Sequence, residues 1–233
     1  PDVVAFQEAD AKAWWSGRFH HVNFIAKQSG YPYSILGIHV KTRTKKYGTG
    51  LISLWPFVQA SSHLFGNSGM FKKGFVIATI RWPGLPKLKV DVVSLHLHPT
   101  SEKKQRSQVM ELVRFVSKRK HPIIVMGDFN CTWDSKTSAL RLLVNKLRLK
   151  AYYPEVPFMY THHFPRVRRI DWIFVSSVFK FAKHRVLKEK FSDHSAVIAD
   201  LQYTGKLKSA PVKKRPKARP APKAKATSRP APR

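Results

Sequence analysis

Ile123-Ile124-Val125-Met126-Gly127-Asp128-Phe129-Asn130 is the stretch on which the fold turns. Its first four residues are apolar without alternation and three of them are β-branched. That is the pattern of a short strand covered on both faces. The strand runs directly into Gly-Asp-Phe-Asn. Asp128 and Asn130 are two residues apart, so both side chains point to one face wherever extended geometry persists.

The same arrangement recurs along the chain. Val3-Val4-Ala5-Phe6 runs into Gln7-Glu8, and Val92-Val93-Ser94-Leu95 runs into His96. Ile170-Asp171 precedes Trp172-Ile173-Phe174-Val175, and Phe191-Ser192-Asp193-His194 precedes Ser195-Ala196-Val197-Ile198. Carboxylates and imidazoles at strand ends can converge on one rim of a sheet. The chain has only 13 acidic residues, yet Glu8, Asp128, Asp171 and Asp193 all stand at such ends. An oxygen-rich, histidine-assisted rim suits a hard divalent cation such as Mg²⁺ or Mn²⁺, which can neutralise phosphate charge and stabilise an oxyanion leaving group. No Cys/His cluster has zinc-finger spacing, and there is neither a phosphate-binding P-loop nor a dinucleotide glycine fingerprint.

Between these motifs the pattern predicts strands over Val3–Gln7, Tyr33–Val40, Gly50–Leu54, Phe75–Arg81, Lys89–Leu97, Pro122–Met126, Asp171–Ser176, Val178–Leu187 and Ser195–Tyr203. It predicts helices over Lys12–Ser29, Ser101–Lys118 and Lys136–Leu147. Many strands with a few interspersed helices indicate an α+β class: a two-sheet β-sandwich flanked by helices, in four αββα layers.

The chain has 233 residues, enough for one sizeable core. No apolar run approaches a membrane span, and the single cysteine, Cys131, allows no intrachain disulfide. Charge is the dominant compositional feature: 43 Lys and Arg against 13 Asp and Glu give +30. Composition changes near Gly205. Residues 206–233 hold 11 basic residues, six prolines and no acid, and are expected to form a disordered Lys/Pro/Ala tail. Without the tail, 32 basic residues face 13 acidic ones, so residues 1–205, read as one domain, alone carry +19. A surface this basic attracts polyanions, nucleic acid first and anionic membrane second.

The ordered series PDVVAFQEAD, VVSLHLHPTSE, IIVMGDFNCTWDS, RIDWIFVS and FSDHSAVIADL resembles the motif series of the endonuclease/exonuclease/phosphatase superfamily. The weaker GTGLISLWPF resembles its third strand region. The resemblance covers residues 1–203. It implies a metal-dependent phosphodiesterase in which Glu8 is the main metal ligand and Asp193 completes the metal or phosphate environment. Asp128 would activate the attacking water and Asn130 would hold the scissile phosphate. His194, oriented by Asp171, would bind a phosphoryl oxygen and assist proton transfer, and His96 would stand beside the phosphate. Family members normally begin with a further strand carrying an Asn of the metal shell; the sequence opens on Pro1 inside a strand-like stretch, and that N-terminal strand is expected to be missing from it. Asp10 stands where pancreatic-type deoxyribonucleases carry an Arg. The Tyr/Asn pattern of the abasic-site nucleases is missing at His96-Leu97-His98.

The charge makes a nuclease acting on DNA or RNA the leading expectation. The alternatives are a sphingomyelinase-like phospholipid phosphodiesterase or phosphatase, and a catalytically impaired nucleic-acid-binding protein. A monomer is expected, with cytoplasmic or nucleoid-associated residence. Several residues are read as structural or surface groups: His20, His21, His98, His162 and His163, Arg106 and Gln108 on a solvated helix face, Cys131 as a small packing residue, and Trp14 and Trp15 as core and rim. Lys72 and Lys73, Arg166, Arg168 and Arg169, and Lys183 to Arg185 are read as contacts for the substrate backbone.

Overall fold

A computed structural model of the chain describes residues 1–44, 46–66, 70, 72–156, 159–189 and 192–205. The expected basic tail at 206–233 lies outside them, as does Phe191. The elements run β1 (Val3–Ala11), α1 (His21–Gln28), β2 (Tyr33–Lys41), β3 (Lys46–Ser53), β4 (Phe57–Leu64), β5 (Gly74–Trp82) and β6 (Leu85–His96). They continue α2 (Glu102–Val116), β7 (Ile123–Asp128), α3 (Ala139–Leu147), β8 (Leu149–Ala151), β9 (Asp171–Ser176), β10 (Phe179–Val186) and β11 (Val197–Tyr203).

The central six-stranded sheet has the order β4-β5-β6-β7-β9-β8, with β6 and β7 parallel and the other neighbours antiparallel. Successive side chains on a strand face opposite ways, and here both faces are buried. Phe75, Val93, Val125 and Phe174 enter the core beneath α2 and α3, beside Leu112 and Leu140. Their neighbours Val76, Val92, Ile124 and Val175 enter the core between the sheets, beside Leu51 and Phe179. Two buried faces explain why these strands read as unbroken apolar runs.

The second layer holds β1-β3-β2 and, as a separate pair, β10-β11. A cavity of about 490 Å³ lies between β1 and β11, over Met126 and Ile173. On the outer side, Val22 and Ala26 of α1 pack on Ile52 of β3. The order is therefore α2 and α3, six-stranded sheet, divided second layer, α1: the four αββα layers expected.

Three local readings need correction. Lys12–Ser29 is not one helix. Lys12, Gly17 and Arg18 all have positive φ, which breaks the segment into a single 3-10 turn at Trp14–Ser16 and the short α1. Of the two pieces, α1 turns Val22 and Ala26 into the core, while Trp14 on the 3-10 turn is exposed. Strand β4 was not apparent, since it is a half-exposed edge strand of mainly small and polar residues. Strand β8 is too short, at three residues, to show a period.

A candidate active site on the rim of the central sheet

Register places the site. His96 on β6 pairs with Asp128 on β7, and Asp128 pairs in turn with Asp171 on β9. Three polar residues thus stand in one row across three adjacent strands. Gly74 on β5 pairs with His96, which puts Lys73 at the same rim. Above the row, Glu8 projects from β1 at a register shift between Phe6 and Ala9, with φ of 54°. A bulge that holds a non-glycine residue in the left-handed region re-aims its side chain at some conformational cost.

The Gly-Asp-Phe-Asn turn is built for close approach. Gly127 has φ of +145°, and a Cβ there would sit 2.0 Å from the Leu95 carbonyl oxygen. Asn130 also has positive φ, 53°, which asparagine tolerates better than most residues. Its backbone N–H donates to Asp128 Oδ1 at 2.8 Å, and its side-chain amide donates to Asp128 Oδ2 and to the Leu97 carbonyl, both at 3.1 Å. Phe129 between them is fully buried.

Two linked groups result. In the first, His96 Nε2 lies 3.1 Å from Asp128 Oδ2, and Lys73 Nζ lies 3.2 Å from Glu8 Oε1 and 3.0 Å from His96 Nε2. Burial works against the charged form of Asp128, but the His96 hydrogen bond and charge and the Asn130 N–H hold its carboxyl below the usual range. Burial likewise opposes ionisation of Glu8, and the Tyr47 hydroxyl, Lys73 and His96 outweigh it, so that carboxyl is lowered as well. Burial lowers the Lys73 ammonium despite the two carboxylates nearby.

In the second group, His194 Nδ1 lies 2.8 Å from Asp171 Oδ2. Burial alone would lower His194. The Asp171 hydrogen bond and charge, helped by Asp128 and Asp193, instead raise it to about 9. The ring is therefore an imidazolium at neutral pH.

Of the residues marked out by sequence, the structure brings Glu8, His96, Asp128 and Asn130 together and sets the Asp171–His194 pair beside them. The Asp193 carboxylate groups with His162 and His194. Several residues read as peripheral stand elsewhere than expected. Lys73, assigned to the substrate backbone on the strength of a charge pair, is buried inside the site; its place one residue before β5 was its only sequence signal. Gln108, read as solvated, is fully buried. Its Oε1 accepts from the His98 N–H at 2.8 Å, while Gln105 donates to the carbonyls of His98 and Asn130. These two glutamines of α2 pin the strand ends that carry His96 and Asp128. Arg169, read as a contact for the substrate backbone, is turned inward. It is buried, donates to the Tyr152 and Tyr153 carbonyls, and lies 4.0 Å over the Trp172 ring. Asp10 is buried and accepts from Ser16. The Cys131 thiol is pushed by burial up to about 12, which leaves it inert as a nucleophile.

The whole motif row belongs to one family. The model of the endonuclease/exonuclease/phosphatase family matches residues 1–194, and the chain is a member of it. Members are hydrolases acting on phosphodiester bonds, and the family's enzymes use divalent metals. No curated protein matches the chain. Among solved structures, an endonuclease/exonuclease/phosphatase from Beutenbergia cavernae shares 22% identity at a TM-score of 0.73, over 88% of this chain and 63% of that one. The chain thus spans less than two thirds of that relative's length. The human Nocturnin catalytic domain with bound sulfate aligns at TM-score 0.67 and 17% identity, covering 88% and 82% of the two chains. Beta toxin from Staphylococcus aureus with bound magnesium ions aligns at 0.63 and 18%, covering 88% and 87%. At these identities the likeness is one of fold.

Proposed function

We propose that the chain is a nuclease that hydrolyses DNA or RNA phosphodiesters by activated water, with Mg²⁺ or Mn²⁺ as cofactor. The observation that carries the substrate class is charge: residues 1–205 hold 32 basic against 13 acidic side chains and residues 206–233 add 11 more basic ones. A phosphodiester polyanion is the ligand such a surface concentrates.

The site fits a divalent ion. A cation is already accommodated beside Glu8, as the Lys73 ammonium, and the oxygen donors of Glu8, Asp128 and Asn130 match the preference of Mg²⁺. When bound, the ion supplies neutralisation of phosphate charge and of the leaving oxygen. Glu8 is the residue placed to hold it. Asp128, ionised and fixed by His96 and Asn130, accepts a proton from the attacking water. The His194 imidazolium binds a phosphate oxygen, Asp171 keeps His194 charged and oriented, and the Asn130 amide can turn one donor to the phosphate only by giving up its bond to Asp128 or to the Leu97 carbonyl. Asp193 adds negative charge near His194.

A second reading, a phospholipid phosphodiesterase, is favoured by the exposed apolar side chains Phe164 and Val167. They sit on the 162–168 turn, which is bridged to His194, where an apolar tip could enter a lipid surface. Plasmid DNA, RNA and phospholipid vesicles, each incubated with the protein and Mg²⁺, separate the two. The nuclease reading predicts nucleic-acid turnover that weakens steeply with salt. Lipid turnover with intact nucleic acid would reverse the assignment, and tight DNA binding without turnover of anything would make the chain a binding protein.

A further inference from the structure

His162 reads in sequence as a surface or packing histidine, yet the fold gives it a specific partner set. Two loops meet beside the catalytic rim and are stitched together by backbone. The Ser195 N–H donates to the Thr161 carbonyl at 2.7 Å and the His163 N–H donates to the Asp193 carbonyl at 3.0 Å, with a β-bridge between His162 and His194. The His163 ring adds a 2.7 Å contact to the Ser195 hydroxyl. This framework brings one ligating atom each from His162, Asp193 and His194 within 4.8 Å of one another, the one such group of three among the described residues.

The outer hydrogen bonds of both rings are already in place. His162 Nδ1 lies 2.8 Å from the Arg166 carbonyl oxygen, which can only accept, so Nδ1 carries the proton. His194 Nδ1 is held at 2.8 Å by Asp171 Oδ2. Each ring is thereby left to ligate through Nε2. A carbonyl or carboxylate behind each imidazole is the arrangement that fixes tautomer and ring orientation in metal-binding histidines. His162 itself is buried, at 7% exposure, so its orientation is set by the fold and not by solvent.

We propose that His162, Asp193 and His194 form a second cation site, selective for a borderline transition-metal ion of the Zn²⁺ type, and that occupation of this site silences the hydrolase. Two imidazoles and one carboxylate select such an ion over Mg²⁺, which prefers oxygen alone. Binding replaces the Nε2 proton of His194 with the ion and releases that proton to solvent. His194 can then no longer donate to a phosphate oxygen. The binding claim stands on geometry alone, and the silencing claim rests on the role given to His194 above.

The test uses the full chain. Zn²⁺ is titrated calorimetrically in excess Mg²⁺, for the natural sequence, His162→Ala and the control His121→Ala, whose ring lies against Asp91 at the end of β6 and β7 away from the site. One ion per chain is expected, with affinity at least about tenfold weaker in His162→Ala, because disturbing even the outer hydrogen bonds of a ligating His costs that much, and unchanged in His121→Ala. Long-range ¹H–¹⁵N spectra of the unaltered protein, which need no variant to fold, should show Zn²⁺ shifting Nε2 of His162 and of His194. Equal affinity in all three chains, or shifts at other histidines alone, would overturn the site. Zn²⁺ should suppress Mg²⁺-supported turnover of DNA in the natural chain at concentrations that leave His162→Ala working. Equal inhibition of both would overturn the silencing. A chain that turns over no substrate under any condition would refute the nuclease reading, while calorimetry and the spectra would still decide the binding site.

Discussion

Replacing Asp171 with Asn isolates the electrostatic part of the site. The side chain keeps its shape and can still accept a hydrogen bond from His194 Nδ1, now 2.8 Å from Asp171 Oδ2, but the charge is gone. Asp171 provides the largest effect raising His194 from 6.5 to about 9 against its burial. Without it the imidazole should return to 6.5 or below. That change of about 2.5 units corresponds to roughly 3 kcal/mol between charged and neutral rings. At pH 8 the imidazolium population would fall from about 90% to about 3%, a loss of roughly thirtyfold. If the imidazolium binds the phosphate, Mg²⁺-supported turnover of the natural chain declines only above about pH 9, and Asp171→Asn moves that limb down by two units or more. Stability follows the same sign. A raised folded value stabilises fully below 6.5 and the contribution is lost as pH rises through about 9. The assay is a pH–rate profile paired with an NMR titration of the His194 ring. An unmoved alkaline limb, with the ring titration displaced as predicted, would refute the role given to the imidazolium.

Two further perturbations probe the scaffold and the cation pocket. Gly127→Ala places a Cβ 2.0 Å from the Leu95 carbonyl oxygen at a φ of +145°, so it should destabilise by more than ~2 kcal/mol, read as a fall in the denaturant midpoint; an unchanged midpoint would contradict the backbone geometry of the turn. Lys73→Met removes the ammonium 3.2 Å from the half-exposed Glu8, and Mn²⁺ affinity measured by calorimetry should rise roughly fivefold, from about 1 kcal/mol of relieved competition; unchanged or weaker binding would show that Lys73 supports the ion instead of competing with it.

The architecture was readable because it rests on burial. Strands β5, β6, β7 and β9 are covered on both faces, and their apolar runs declare that directly. The active-site row was readable in part for the same reason: each of His96, Asp128 and Asp171 interrupts an apolar strand at its end, where a polar residue has no packing role. What sequence did not show depends on register and approach between distant segments. Lys73 enters the site because Gly74 pairs with His96, a relation across 22 residues that no local pattern encodes. Gln108 looks like any polar residue of an amphipathic helix until its contact with the His98 backbone is seen. His162 reads as one of many histidines until the two loops are bridged. Arg169 illustrates the reverse error, since a charge in a basic run was spent on capping carbonyls and stacking on Trp172. The false helix over Lys12–Ser29 arose because apolar spacing does not register a backbone break: Lys12, Gly17 and Arg18 take positive φ, and Trp14 on the 3-10 turn is exposed.

Phosphodiester hydrolysis at this rim, with a divalent ion and with Asp128 activating water, is checked by single-turnover cleavage of labelled DNA and RNA by the full chain in Mg²⁺, in EDTA, and as Asp128→Asn in Mg²⁺. The variant is nearly isosteric and retains a partner for His96. Cleavage in Mg²⁺ alone, lost in EDTA and reduced by at least about a hundredfold in Asp128→Asn, is the predicted result. Cleavage that persists in EDTA, or that Asp128→Asn leaves intact, would contradict it.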